Sequence, residues 1–216
     1  MADAASVFDS HAVLTFTVER ILNLDDPEGT SGLSILASFE QAAPPDSVSS
    51  TAGDGAVIAD NPSITPSPLA GNQFTHTFRV SGSTSIGDVA SSHLGWYNLS
   101  FNNASGDRYA VEGRLAYQLS ATVSGSDADS ELFLDYMNLD HSFTGSAYLA
   151  VSVFDLPDGR KSDSSVFAFT LGPSASESLR ADVRINGNLH AVPVPAAVWL
   201  LASSTAGLAV IGRRKS

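Results

Sequence analysis

A two-residue rhythm of apolar and polar side chains constrains this chain more than any other feature. Leu14, Phe16 and Val18 alternate with Thr15 and Thr17, and Phe74, His76, Phe78 and Val80 alternate with Thr75, Thr77 and Arg79. The longest clean run is Leu115, Tyr117, Leu119, Ala121 and Val123. Shorter runs are Ile35-Ala37-Phe39, Tyr97-Leu99-Phe101, Leu132-Leu134-Tyr136, Leu149-Val151-Val153, Phe167-Phe169-Leu171 and Ala181-Val183-Ile185. Successive side chains of an extended strand point to opposite faces, so each run describes a strand with one face on a core and one in water. No long stretch of the body carries a 3.6-residue period, and Gly and Ser interrupt nearly every candidate helix.

Turn chemistry separates the runs. Asn102 to Asp107 reads Asn-Asn-Ala-Ser-Gly-Asp, and further turns are expected at Ser124 to Asp127, Pro157 to Gly159 and Gly172-Pro173. About nine short strands with such punctuation predict an all-β fold, a β-sandwich of jelly-roll-like or Ig-like type. Asp25 to Gly32 reads as a loop. Ala43 to Asn72, with Pro44, Pro45, Pro62, Pro66 and Pro68, reads as a long surface excursion with one short edge strand near Val57 and Ile58. Residues 1–190 are thus expected to form one β-sandwich domain.

At 216 residues with 43% hydrophobic content, the chain can bury an ordinary core. Charged residues are only 16%, below the roughly 25% of a typical soluble chain, so Ser, Thr, Asn and Gly supply much of the polar surface. The net charge of −12 repels nucleic-acid phosphates, which argues against a nucleic-acid partner. Without cysteine there is no disulfide, thiol nucleophile or Cys-ligated zinc.

The character changes sharply at residue 191. Val192-Pro193-Val194-Pro195 is followed by Ala196 to Gly212, a stretch with no charge, and then by Arg213, Arg214 and Lys215. A helix from Pro195 to Gly212 would be about 27 Å long, close to the roughly 30 Å hydrocarbon core of a bilayer. Pro195 suits the first helical position, and the basic run is a cytoplasmic stop by the positive-inside rule. The expectation is a single C-terminal transmembrane helix over 196–212 with the body outside the inner membrane. The first residues lack the pattern of a secretory leader, so a signal peptide is expected upstream of Ala2 in the cell.

In their order and spacing, the prolines at 193 and 195, the apolar stretch with Trp199 and the basic cluster at 213–215 resemble the PEP-CTERM sorting signal of Gram-negative bacteria. The glutamate that gives that signal its name is Val194 here. The resemblance covers about the last 25 residues, 191–216. It implies that an exosortase is a partner and cuts near the prolines. It also implies that the body reaches the cell surface or extracellular matrix of a bacterium that makes exopolysaccharide and biofilm.

The body offers weaker pointers to chemistry. His11, His76, His93, His141 and His190 show no metal-ligand spacing, and no G-x-S-x-G elbow is present, so no catalytic residue is assigned and no enzyme is expected. Asp25, Asp26 and Glu28 cluster in one loop, and Asp127, Asp129 and Glu131 alternate in another. Such oxygen donors suit Ca2+, and they are the candidate metal ligands, although neither spacing is that of an EF-hand. No other cofactor is expected. Trp96 has the opposite parity to Tyr97, Leu99 and Phe101, so it is expected to face outward, where an aromatic ring can stack on a sugar. The leading expectation is a non-catalytic structural or adhesive surface protein. The alternatives are a carbohydrate-binding module, calcium-dependent or not, and a secreted hydrolase with paired carboxylates or a Ser-His pair.

Overall fold

The computed structural model describes residues 5–27, 29, 32–60 and 73–191. Of the expected sorting tail (191–216), residues 192–216 lie outside the described residues, as does Glu28. Eleven strands run β1 (Ser6–Asn23), β2 (Leu33–Gln41), β3 (Val48–Thr51), β4 (Ala56–Asp60), β5 (Gln73–Thr84), β6 (Gly87–Asn103), β7 (Tyr109–Ser124), β8 (Ala128–Asn138), β9 (Thr144–Ser152), β10 (Asp158–Leu171) and β11 (Ser176–Ala191). They form two antiparallel sheets, so the described chain is an all-β sandwich. Sheet A has the order β10-β7-β1-β5-β4. Sheet B has the order β2-β6-β11-β8-β9, with β3 also paired to β6.

The alternation seen in the sequence is the alternation of burial. Phe8, Leu14, Phe16 and Phe78 from sheet A face Tyr97, Leu99, Phe101 and Leu132 from sheet B, and all are buried. The strands are longer than the apolar runs: β7 starts at Tyr109, ahead of Leu115, and β11 continues past Ile185 to Ala191. The short strand expected at Val57 and Ile58 is β4, which pairs with β5. Phe8 fits only because both residues beneath its ring are glycines. A Cβ at Gly82 or Gly187 would lie 2.3 or 2.4 Å from ring carbons. Two polar links tie the sheets through the core. Ser130 Oγ donates to the Asn186 carbonyl at 2.7 Å and so accepts from Ser10 Oγ, also at 2.7 Å, and Tyr136 OH meets Ser165 Oγ at 2.5 Å.

From β5 onward the chain alternates between the sheets, with a hairpin only at β8–β9. The strand that would follow β11 in such a winding, between β5 and β7, is instead β1. Ser6 at the start of β1 accordingly donates its hydroxyl to the His190 carbonyl at the end of β11, at 3.3 Å. The chain therefore enters and leaves the sandwich at the same end. Turns 52–55, 85–86, 125–127 and 153–157 share that end, and turns 24–27, 104–108, 139–143 and 172–175 lie at the other.

Three buried asparagines organise the far end. Asn23, Asn103 and Asn138 are the last residues of β1, β6 and β8. Asn103 Nδ2 donates to the carbonyls of Asp107 and Gly172, both at 2.7 Å, and its Oδ1 accepts from Ser105 N and Oγ. Asn23 Oδ1 accepts from the amides of Asp25 and Asp26, and Asn138 Oδ1 accepts from Phe143 N. The side chains thus satisfy backbone groups that the turns would otherwise leave unpaired.

Candidate functional site: the outer face of sheet B

Because register fixes which side chains share a face, the outer surface of sheet B can be read row by row across β6, β11, β8 and β9. One row is Leu94, Arg184, Phe133 and Tyr148. The next toward the far end is Trp96, Asp182, Asp135 and Ser146, with Glu40 of β2 beside Trp96. Toward the near end come Ser92, Asn186, Glu131 and Ala150, and then Ala90, Asn188, Asp129 and Ser152. From the Asn188 row to the row of Asn98, Arg180 and Met137 the face extends about 27 Å, at ~3.4 Å per residue.

Trp96 does face outward and its neighbour Tyr97 is buried, as the parity requires. The indole is held, not loose. Nε1 donates to Glu40 Oε2 at 2.9 Å, and the Arg180 guanidinium lies 5.2 Å from the ring centroid. Arg180 Nε also donates to Asp182 Oδ1 at 2.5 Å. Phe133 and Tyr148 form a second aromatic pair, with centroids 4.7 Å apart. Tyr148 OH donates to Glu131 Oε1 at 2.8 Å, a bond that raises the phenol above its ordinary pKa.

A groove of about 540 Å³ runs along the near half of this face. Ser92, Glu131, Arg184, Asn186 and Asn188 line it, and β3 forms its wall through Val48, Ser49 and Ser50. Asn188 Nδ2 donates to Asp129 Oδ1 at 2.9 Å, and Asn186 Nδ2 lies 3.4 Å from Glu131 Oε2. Arg184 is exposed and forms no ion pair among the described residues. Past Arg180, a hollow of about 330 Å³ is lined by Asn98, Met137, Leu139 and His141. The face therefore combines flat rings with amide, hydroxyl and guanidinium groups on rigid strands. That is the chemistry that holds sugar rings by stacking and by hydrogen bonds to hydroxyls.

No family model matches the chain in a scan of known protein families, and a search of curated proteins finds no match.

Three of the candidate calcium ligands, Asp25, Asp129 and Glu131, have their carboxylates in protein contacts. Asp129 and Glu131 hold the amides and phenol just described, while Asp127 sits in the turn before β8. Asp25 accepts from Arg108 Nη2 at 2.8 Å and from Arg108 N at 2.8 Å, and these bonds hold its carboxyl below the ordinary value. Asp26 packs in the same turn, where its carbonyl accepts from Gly29 N. Among the described residues, no three His, Asp or Glu side chains gather as a metal site.

A Ser-His pair that spacing could not reveal lies on the outer face of sheet A. Ser120 Oγ is 2.7 Å from His11 Nε2 in a depression of about 550 Å³ that also touches Asp9, Leu156, Asp158 and Arg160. The two residues are direct cross-strand partners. The pair lacks the supporting parts of a serine nucleophile. The carboxylate of Asp9 is taken by Arg79 at 2.7 and 2.6 Å, and no carboxylate bonds to His11 among the described residues. The ladders of β7 with β1 and β10 occupy the backbone amides around Ser120, so none is free to bind an oxyanion.

The core holds a second group of polar rings. His76 is 3% exposed and stacks on Phe39 at 3.7 Å, with Tyr97 6.1 Å away. His76 Nε2, both nitrogens of His93 and Tyr97 OH are buried without hydrogen-bond partners among the described residues. Loss of water pushes His76 down to about 4, lowers His93 and raises Tyr97. All three are neutral near pH 7, so they behave there as packing groups.

Proposed function

We infer that this chain is a non-catalytic, exported surface or matrix protein that uses the outer face of sheet B to hold polysaccharide. The observation that carries the binding role is the shared face of Trp96, Phe133 and Tyr148 with the groove of Ser92, Arg184, Asn186 and Asn188. Its length suits an extended glycan chain, and the negative net charge favours a neutral one. The strand winding supports a jelly roll whose last strand has moved to the front of the chain, an architecture also used by lectin domains. The setting comes from the sequence of residues 192–216. Its prolines, apolar stretch and basic end support sorting by an exosortase, through a membrane-held precursor with a cytoplasmic C-terminus, to a surface rich in exopolysaccharide.

Affinity electrophoresis through gels containing neutral polysaccharides, including the producing cell's own, tests the binding role. The wild-type chain is expected to be retarded, and the triple variant Tyr148→Ala, Arg184→Ala, Asn188→Ala is expected to run freely. Equal retardation of both would remove the face from the proposal. The route is tested separately by intact mass of the native protein. A C-terminus near the prolines supports sorting, and one at Ser216 excludes it.

A further inference from the structure

The end of the sandwich where β11 leaves carries three large apolar side chains on its turns. Phe154 is 77% exposed, Ile86 54% and Leu156 47%. Phe154 and Leu156 belong to the turn joining β9 to β10, while Ile86 belongs to the turn joining β5 to β6. The strand order puts these turns on opposite sides of the exit at Ala191.

Neither turn is a loose loop that happens to show a greasy residue. In the first, Ser152 N donates to the Leu156 carbonyl at 2.8 Å, Asp155 N to the Ser152 carbonyl at 3.2 Å, and Val123 N to the Pro157 carbonyl at 2.8 Å. In the second, Asp54 Oδ1 accepts from Ser85 N and Ile86 N, both at 2.8 Å, and from Thr84 Oγ1 at 2.9 Å. Gly53 packs so close beneath it that a Cβ would lie 1.7 Å from the Ile86 carbonyl oxygen. Backbone bonds thus hold apolar side chains out into solvent, which costs free energy unless something covers them.

The sequence says what stands nearby. Only four residues separate Ala191 from Ala196, where the uncharged stretch begins. A fully extended chain spans at most ~3.6 Å per residue, so five steps cover about 18 Å. If 196–212 spans the bilayer, this end of the sandwich stands within that distance of its surface. We propose that Phe154, Leu156 and Ile86 rest in the lipid interface on either side of the exit, so that the domain stands upright on the membrane at three apolar points. Asp88, Asp127, Asp155 and Asp158 lie at or near the same end. They repel anionic headgroups and make a zwitterionic surface the fitting one. This proposal rests on the membrane reading of the tail but does not follow from it, because a flexible tether would leave the same turns in water.

The test uses the full chain in vesicles of phosphatidylcholine with brominated acyl chains, which quench only tryptophans that reach them. Trp96→Phe leaves Trp199 as the sole tryptophan. Adding Trp199→Phe with Phe154→Trp, Ile86→Trp or Val166→Trp places a single probe at either turn or at an exposed apolar site midway along β10. Quenching of Trp199 and of the probes at 154 and 86, but not at 166, is the expected result. Quenching of Trp199 with probes at 154 and 86 as bright as that at 166 overturns the proposal and leaves the tail reading intact. No quenching of Trp199 overturns both. A lipid-free blue shift at 154 that grows with protein concentration identifies a second copy as the occupant and overturns it as well. With the native sequence, vesicles are expected to slow chymotrypsin cleavage after Phe154, and an unchanged rate counts against the proposal.

Discussion

Lowering the pH from 7 to 4 is expected to weaken this fold through one buried ring. His76 is 3% exposed, lies against Phe39 and has no partner for Nε2, so its folded-state pKa falls to about 4 from the ordinary 6.5. Between those values the unfolded chain carries a proton at this position and the folded chain does not. The unfolded state therefore binds more protons, and stability must fall as pH drops through 6.5, levelling off below about 4. At about 1.4 kcal/mol per pH unit the full gap is worth about 3 kcal/mol, a large share of a typical domain's stability. His93, also lowered by burial, adds a loss of the same sign. Asp25, Asp54 and Asp140 are held below 3.8 by hydrogen bonds, so their stabilisation is lost mainly below about pH 4, outside most of this window. The assay is urea unfolding followed by far-UV circular dichroism at half-unit steps from pH 7 to 4.5, for wild type and for His76→Phe. The variant keeps a flat ring against Phe39 and should flatten the profile by about 2 to 3 kcal/mol across the window. Parallel profiles for the two proteins would refute the assignment.

Three further outcomes follow from the packing and the loops. Gly187→Ala drives a methyl into the Phe8 ring, where 2.4 Å is available, and is expected to cost about 1–3 kcal/mol, read as a lower thermal midpoint; an unchanged midpoint would mean that Phe8 has room to move. Asn103→Ala strands the Gly172 and Asp107 carbonyls and Ser105 N, and should cost about 1–3 kcal/mol while speeding amide exchange in turn 104–108. Arg79→Ala removes the exposed pair with Asp9 and should change stability by no more than about 1 kcal/mol, with the difference shrinking in high salt; a larger, salt-independent loss would contradict this.

The alternation from Leu115 to Val123 was enough to read β7, and the parity of Trp96 against Tyr97 was enough to place one outside and the other in the core. Both follow from a local period that burial enforces at every second residue. By contrast, β3 is four exposed residues, Val-Ser-Ser-Thr, with no pattern of its own; it is a strand because β6 offers it an edge. The pairing of β1 with β5 and β7 is likewise tertiary, so neither the strand order nor the His11–Ser120 contact, 109 residues apart, could be read from spacing. The asparagines at 23, 103 and 138 did leave a trace. Each ends an alternating run at an inward position, with Asp25, Ser105 or Asp140 two residues on. On the outer face of sheet B, Trp96 was legible as one outward ring, but its companions come from β8, β9 and β11, and only register brings them into adjacent rows.

The position of β11 bears on how the molecule carries load. This strand is central in sheet B, paired with β6 from Ser176 to Ala191 and with β8 from Leu179 to Leu189. A pull on Ala191 along the strand axis loads both ladders in shear, so their hydrogen bonds resist together, whereas a tug across an edge strand peels bonds one at a time. Arg180, Arg184, Asn186 and Asn188 project from the outer side of this same strand. If a glycan is held there and the tail is fixed in a membrane, tension between them runs down a single strand that is hydrogen-bonded on both sides, and spares the edges.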